Sequence, residues 1–319
     1  MGKRKNILYF LIVFILALLF GARVINYEKP TPPSPVPEEF LLNSPTALSQ
    51  TYYVDTKGND GNNGSQSFPY KTIQRAINQV PSGSTIIVVS GDYPERPVII
   101  ATKNNITLQA QGKVKVRGFH ITRNVGTIID GFDISATSST YVEGWGIWVQ
   151  GNDCAIRNNV IHDVSWGGIL MMYYSNRCVV ENNKLTSNIS LIGIDIRGNN
   201  HIVSGNEIAD VRQYSPLLSN SPGFDADGIH FHGSGHVISN NYIHDIPYNS
   251  YNPTSHTDCF QTFDGSTEQP KAVNVTIENN RCENIGWVTN EILTKGIQAQ
   301  SAQNLVIKNN TLCAAAGIS

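Results

Sequence analysis

Apolar and polar residues alternate in short bursts along much of the chain, and a paired asparagine closes most of these bursts. The first clear unit runs from Trp145-Gly-Ile-Trp-Val149 to Ala155-Ile-Arg-Asn-Asn159. Five further units repeat the pattern, and their leading strands begin at Gly167, Ile192, Asp227, Asp258 and Lys295. The spacing is about 22 residues, longer where insertions occur, and repetition at this period predicts a solenoid of stacked coils.

The bursts favour strands over helices, because their apolar residues recur with a period of two and are mostly Val and Ile. Stacked coils pair such strands in parallel, about 4.8 Å apart, and bury one shared core. Asparagines that recur at one turn can form a ladder of amide hydrogen bonds between coils. The sequence therefore predicts an all-β fold, a parallel β-helix solenoid over residues 51–319.

One segment near the start of this region has a different spacing. Ile73, Ala76, Ile77 and Val80 follow helical periodicity, and Pro81 stops it. We expect a short amphipathic helix here that caps the first coil and covers its unpaired edge.

Several segments around this helix resemble the N-terminal cap of the pectate-lyase-like right-handed β-helix superfamily. They are Tyr53-Val-Asp-Thr-Lys-Gly-Asn-Asp-Gly61, Pro69-Tyr-Lys-Thr-Ile-Gln-Arg-Ala-Ile77, Gly83-Ser-Thr-Ile-Ile-Val88 and Gly91-Asp-Tyr93. The resemblance extends over about residues 52–319 and implies a right-handed helix. That superfamily includes lyases, hydrolases, epimerases and non-catalytic surface proteins, so the resemblance alone implies no single activity. The sequence ends at Ser319 without a recognisable closing cap, and we expect later coils to be missing from it.

The N-terminus has the pattern of an export signal. Three basic residues, Lys3, Arg4 and Lys5, precede an apolar run over residues 7–20. Residues 1–23 are interpreted as an uncleaved signal anchor or a cleaved signal peptide, with a buried core helix as a third alternative. The first two place the body outside the cytoplasm, secreted or tethered to the membrane. The prolines within residues 24–50 predict a semi-extended linker.

The charge balance of the chain limits the kinds of partner that we expect it to bind. The chain has 23 Lys and Arg against 25 Asp and Glu, a formal net charge of −2, so we expect no nucleic-acid partner. We expect a monomer.

Five cysteines cannot all pair within one chain. Cys154 and Cys178 fall in one column of adjacent coils, as a thiol pair or a disulfide, and Cys282 falls in a core column.

Aligning the repeats predicts which side chains share a surface. Taking the inward Ile or Phe of each strand as reference, the next residue points outward. This column reads Trp148, Leu170, Asp195, His230, Gln261 and Gln298. A second outward column contains Arg197, His232 and Phe263. A third column, at the strand starts, changes from apolar or small residues to Asp227, Asp258 and Lys295.

Two insertions and a cluster of histidines fall on the same coils. The insertions span residues 211–224 and 247–257, just before the strands that begin at Asp227 and Asp258, and loops on one face of a repeat stack usually form functional walls. They carry aromatic residues suited to stacking on sugars, namely Tyr214, Phe224, Tyr248 and Tyr251. Of the nearby histidines, His236 and His244 fall in turns and are interpreted as structural.

The resemblance and this charged face together favour a lyase that acts on an acidic, uronate-containing polysaccharide. Such an enzyme neutralises the uronate carboxylate, removes the C5 proton and expels the glycosidic oxygen. Asp225, Asp227 and Asp258 are predicted to hold Ca²⁺, and Lys295 or Arg197 to act as the base. The further catalytic candidates are His230, His232 and His256. The predicted substrate-binding residues are Asp195, Gln261 and Gln298.

Three alternatives remain open. Asp225-Ala-Asp-Gly228 and Thr257-Asp-Cys259 loosely resemble polygalacturonase motifs, which would make Asp227 and Asp258 the acid and base of a glycoside hydrolase. An epimerase of polymer uronates would share proton abstraction with the lyase. A non-catalytic surface adhesin or glycan-binding module would need only the tether, the linker and the repeat stack.

Overall fold

The computed structural model describes residues 50–138, 140–212, 225–247, 257–286, 294–314 and 316–318. The predicted anchor or signal segment therefore lies outside the described residues, as does nearly all of the proline-rich linker. In the part of the chain that is described, no helix is long and apolar enough to cross a membrane.

The described residues form one short helix and 28 strands. The helix, α1, spans Ile73–Gln79. The first fourteen strands are β1 (Thr51–Val54), β2 (Thr85–Asp92), β3 (Val98–Ile99), β4 (Thr107–Val116), β5 (Phe119–Val125), β6 (Ile128–Asp130), β7 (Asp133–Ala136), β8 (Trp145–Asn152), β9 (Ala155–Arg157), β10 (Val160–Val164), β11 (Gly167–Met171), β12 (Val179–Glu181), β13 (Lys184–Leu185) and β14 (Ile189–Ser190). The remaining strands are β15 (Ile192–Ile196), β16 (Ile202–Ser204), β17 (Glu207–Ala209), β18 (Val211–Arg212), β19 (Asp227–Phe231), β20 (Val237–Ser239), β21 (Tyr242–Ile246), β22 (Thr257–Thr262), β23 (Thr276–Glu278), β24 (Arg281–Ile285), β25 (Thr294–Ala299), β26 (Val306–Lys308), β27 (Thr311–Ala314) and β28 (Ala316–Ile318).

These strands build a right-handed parallel β-helix, as predicted. One sheet contains nine strands in the order β3, β5, β8, β11, β15, β19, β22, β25 and β28, and the other contains nineteen. Each strand of the nine-stranded sheet pairs in parallel with the strand one coil away, as β19 does with β15 and β22. The coils therefore stack along one axis.

The core runs along the inside of the coils. In the nine-stranded sheet, Ile194, Ile229, Phe260 and Ile297 stand in register on successive strands, and each is fully buried. Burying one such side chain contributes roughly 1.5–3 kcal/mol. Because these side chains lie in register on successive strands, neighbouring coils stabilise each other. Gly228 lets the strands approach closely, because a Cβ at this position would lie 2.7 Å from the carbonyl oxygen of Cys259.

The predicted asparagine ladder is present at the second residue of each pair. Each ladder amide donates to the side-chain oxygen of the next, at 2.9–3.0 Å. The ladder residues are Asn159, Asn183, Asn206, Asn241, Asn280 and Asn310. The first residue of each pair has a left-handed backbone, as at Asn182 with φ 55°. One asparagine thus makes the turn and the other bonds the coils together.

Helix α1 lies within the segment whose apolar spacing predicted a helix. It contacts strands β1 and β2 and buries Ile73, Ala76 and Ile77. Its first turn is held by Glu95, whose carboxylate accepts hydrogen bonds from the backbone N–H groups of Ile73 and Gln74 at 2.8 and 2.9 Å.

The cysteines differ in part from the prediction. Cys282 is fully buried, as its core position implied, but it forms a disulfide with Cys259 that the repeat alignment did not reveal. This bond joins β22 of the nine-stranded sheet to β24 of the nineteen-stranded sheet. Cys154 and Cys178 are buried free thiols on adjacent coils, and Cys313 is an exposed free thiol.

Candidate functional site

A row of polar side chains crosses the nine-stranded sheet in the predicted register. Asp195 pairs with His230, His230 with Gln261, and Gln261 with Gln298, so these four side chains occupy one position on successive coils. The row alternates with the core residues and points away from them. All four residues are nevertheless buried, with exposed fractions of 7% or less. The polar face is therefore more enclosed than the outward column implied.

Asp195 and Arg197 form a buried ion pair at one end of the row. Nε and Nη2 of Arg197 donate to Oδ2 of Asp195 at 3.0 and 2.6 Å. Burial raises the pKa of Asp195, but the charge and hydrogen bonds of Arg197 outweigh it and hold the pKa below its usual value. Burial likewise lowers the pKa of Arg197, and Asp195 more than compensates, so the guanidinium stays charged. The structure therefore does not support the base role predicted for Arg197.

The strand starts are linked by carboxylates. Oδ2 of Asp227 lies 2.7 Å from Nε2 of His230, and its Oδ1 accepts the backbone N–H of Asp258 at 2.7 Å. Asp258 repeats the second contact one coil further, where its Oδ1 accepts the backbone N–H of Lys295 at 2.7 Å. Burial raises the pKa of Asp227, while burial of His230 is outweighed by Asp227, which raises the pKa of that imidazole. Asp227 and His230 thus form a buried, hydrogen-bonded pair.

His232 lies beside this pair and is fully buried. Its Nδ1 is 3.1 Å from the carbonyl oxygen of Phe263, and the Phe263 ring packs edge-to-face against the imidazole at 4.7 Å. Burial lowers the pKa of His232 to about 4, so the ring is neutral near pH 7.

Three of these side chains converge on one point. Asp195, His230 and His232 each offer a donor atom, and the three atoms lie within 4.8 Å of one another. Within the described ranges, this is the one group of three or more His, Cys, Asp or Glu residues with that geometry. Sequence reasoning named all three residues but assigned them to substrate binding and catalysis.

The aspartates predicted to hold Ca²⁺ are arranged differently. Asp225 is half-buried, whereas Asp227 and Asp258 are fully buried. Both carboxylate oxygens of Asp227 already take part in hydrogen bonds, one with an imidazole and one with a backbone amide. Calcium prefers six to eight oxygen ligands, so an ion here would have to replace these bonds. The residues fit the ion poorly, and the calcium site stays a prediction.

Aromatic residues border the site, and two of them, Tyr141 and Trp166, were not singled out from the sequence. Tyr141 contacts Trp145, Trp148 and Trp166 edge-to-face, with ring centroids 4.9–6.2 Å apart. The Tyr141 hydroxyl lies 3.5 Å from Nη2 of Arg197. Tyr141 precedes Arg197 by 56 residues and lies between repeats, so no periodic signal connected the two.

The remaining predicted residues divide into described and undescribed groups. Lys295 is half-buried at the start of β25, in register with Asp258. His236 is buried, and its ring stacks on His201 at 5.3 Å, which supports the structural role predicted for it. His256 and the insertion aromatics lie outside the described residues. These are Tyr214, Phe224, Tyr248 and Tyr251.

Comparisons with known proteins agree with this architecture. The family model described as the right handed beta helix region matches residues 104–258 and 145–319. A second model, of a protein of unknown function (DUF1565), matches residues 56–98. No curated protein shows significant sequence similarity to the chain.

Solved structures share the fold at low sequence identity. Pectate lyase Pel9A is 16% identical with a TM-score of 0.52, over 82% of this chain and 78% of that one. Escherichia coli ybhc is 12% identical with a TM-score of 0.53, over 93% of each chain. XylC in complex with xylose is 12% identical with a TM-score of 0.53, over 82% of this chain and 70% of that one. The chain, matched over most of its length, belongs to the right-handed β-helix family and has the pectate-lyase-like form of that fold.

Proposed function

We propose that the protein is a polysaccharide-active enzyme, a lyase that acts on a uronate-containing polymer outside the cytoplasm. The observation that carries this proposal is the buried group of Arg197, His230 and His232 on a face whose coils repeat about every 4.8 Å. A face of this kind runs parallel to a bound polymer, and its cationic and imidazole groups suit a sugar that bears a carboxylate.

Arg197 is assigned to the substrate carboxylate. Its guanidinium stays charged and is oriented by Asp195, as a group that neutralises a uronate must be. The main energetic obstacle to elimination is removal of the weakly acidic C5 proton. Neutralising the carboxylate makes this proton more acidic. The side chain is 6% exposed, so a small part of it remains at the surface.

Lys295 is assigned to proton abstraction at C5. It is the second residue of β25, two coils beyond Asp227, and its backbone N–H donates to Oδ1 of Asp258. Gln261 and Gln298 continue the polar row between these ends, and their amides can hydrogen-bond sugar hydroxyl groups on successive residues of the polymer.

The structural relatives support a carbohydrate-active protein. One relative is a pectate lyase and another holds xylose. The contacts of Asp227 weigh against the hydrolase alternative, because one of its carboxylate oxygens faces the His230 imidazole and the other accepts the backbone N–H of Asp258.

The test is an assay of the purified full-length chain on pectate, alginate and glycosaminoglycans, following ultraviolet absorbance of the unsaturated product. We expect product on one uronate polymer, with the rate abolished in Lys295→Ala and Arg197→Lys. Lys308→Ala is the matched control, because this exposed lysine pairs with Glu278 on the other sheet.

Other outcomes separate the alternatives. New reducing ends without absorbance would indicate a hydrolase, and inversion at C5 without chain cleavage an epimerase. Binding without turnover on every polymer would indicate a glycan-binding surface protein. Full activity in Lys295→Ala would remove the proposed base.

A further inference from the structure

In both His230 and His232, one ring nitrogen is hydrogen-bonded. That bond determines whether the other ring nitrogen carries a proton or a lone pair. Nδ1 of His232 faces the Phe263 carbonyl, and a carbonyl oxygen only accepts hydrogen bonds. In the neutral ring Nδ1 therefore carries the proton and Nε2 carries a lone pair. No described residue bonds this buried Nε2.

His230 has the mirrored arrangement. Its Nε2 faces the carboxylate of Asp227 at 2.7 Å, so that nitrogen carries the proton. Its buried Nδ1 has no hydrogen-bond partner among the residues that the structure describes. A histidine that donates one N–H to a carboxylate or a carbonyl and presents its other nitrogen is the usual metal-ligand arrangement in proteins.

Asp195 completes the group with an oxygen. Nε and Nη2 of Arg197 both donate to Oδ2, and buried Oδ1 has no partner within the described part of the chain. With both imidazoles neutral, the group presents three buried acceptor atoms that meet no donor among the described residues, and such atoms are costly in a folded protein. Ligand atoms of the three residues lie within 4.8 Å of one another, close enough for one cation to bind all three residues.

We propose that Asp195, His230 and His232 bind one divalent transition-metal ion of the zinc class. Two imidazole nitrogens and one carboxylate oxygen suit Zn²⁺, Fe²⁺, Co²⁺ or Mn²⁺ rather than Ca²⁺, which prefers oxygen. Three protein ligands leave at least one coordination position open, as in catalytic rather than structural sites. Asp227 and the Phe263 carbonyl orient the two imidazoles from outside the group.

The metal would share the face on which the proposed lyase binds its polymer. Only its role in that reaction, as a positive charge beside Arg197 for the uronate carboxylate, rests on the proposed function. The binding of the ion rests on the donor atoms alone.

The test is calorimetric titration of Zn²⁺ into the untagged full-length chain after removal of bound metal with a chelator. We expect one equivalent with Kd of about 1 μM or tighter, unaffected by excess Ca²⁺. Co²⁺ should give visible absorption bands of a bound ion with nitrogen ligands.

Variants separate ligands from their supports. His232→Gln and Asp195→Asn should weaken Zn²⁺ binding at least ~100-fold, and Asp227→Asn, which changes only the orienting carboxylate, about 10–100-fold. His162→Gln is the matched control, a histidine bonded to two aspartates on the other sheet. Far-ultraviolet circular dichroism confirms folding, and the Co²⁺ bands test the site even if one variant does not fold.

Absence of saturable Zn²⁺ binding would overturn the proposal, as would equal losses in His232→Gln and His162→Gln. The two proposals fail separately. If chelator-treated protein is fully active and binds no Zn²⁺, the metal proposal is wrong and the lyase proposal stands. If Zn²⁺ binds saturably but no polymer gives product, the metal proposal stands and the lyase proposal is wrong.

Discussion

The guanidinium of Arg197 holds Asp195 by a single carboxylate oxygen. Both hydrogen bonds end on Oδ2, at 3.0 and 2.6 Å, although the two residues are separated by one position on the chain. The pair is buried, so neither charge has water to replace its partner. Its stability therefore depends on both members being present.

Replacing Arg197 with Gln should destabilise the chelator-treated, metal-free protein by about 3–5 kcal/mol, because the charge of Asp195 is left buried and unpaired. Urea denaturation measures the change. Arg212→Gln is the control: Arg212 pairs with Asp210 at the same spacing, but its side chain is 43% exposed, and we expect a loss below about 1 kcal/mol. Equal losses in the two variants would contradict the buried ion pair.

Replacing Asn206 with Ala should interrupt the ladder. Its side-chain oxygen accepts the backbone and side-chain N–H groups of Asn183, both buried, at 2.9 and 3.0 Å. Leaving two buried N–H groups without an acceptor should lower the free energy of unfolding by about 2–5 kcal/mol. Thermal or urea unfolding measures it.

Asn199→Ala is the matched control for the ladder. Asn199 donates to Asn176 at 3.0 Å in a second, half-exposed ladder, where water can replace the lost bond. A loss as large as that of Asn206→Ala would mean that burial does not determine the cost.

Removing the disulfide by the double change Cys259→Ala and Cys282→Ala should cost about 2–4 kcal/mol, through the greater freedom of the unfolded chain. Cys313→Ser should have no effect, since that thiol is free and exposed. Thiol titration of the denatured, unreduced protein should find three free thiols, and five after reduction. Five thiols before reduction would show that the bond is absent.

His162 should make stability depend on pH. It lies 2.7 Å from both Asp133 and Asp163; burial lowers its pKa, but these partners outweigh burial and raise it. A raised folded-state pKa contributes stability that is complete below the unfolded value near 6.5 and is lost as pH rises through the folded value.

His162→Gln should therefore cost more at about pH 5.5 than at about pH 9. The difference should stay below about 1 kcal/mol, because Asp163 is half-exposed. Urea denaturation at both values checks the sign. A larger cost at the higher pH would contradict the raised pKa.

The repeat pattern was sufficient to predict the solenoid, the ladder and the register of the polar row. Those features follow from backbone geometry that every coil repeats, so Asp195 and His230 had to be neighbours once the coils were aligned. The Cys259–Cys282 bond could not be predicted in this way, because it crosses between sheets rather than along a column.

The site was harder to interpret than the fold. Position in a column does not reveal which atom of a side chain is engaged, and the roles of His230 and His232 depend on that. Tyr141 and the Phe263 carbonyl act on Arg197 and His232 from irregular segments, which carry no periodic signal. Arg197 was assigned a base role that its ion pair with Asp195 opposes.

The asparagine ladder keeps the same contact between coils whatever the number of residues in a coil. Neighbouring ladder residues are 23 positions apart between Asn183 and Asn206 but 39 apart between Asn241 and Asn280, and the amide contact is 3.0 Å in both. Surface loops can therefore lengthen or shorten over evolutionary time without shifting the strands that carry the polar row. In such a scaffold, the segments between strands can differ in length from coil to coil while the polar row keeps its register.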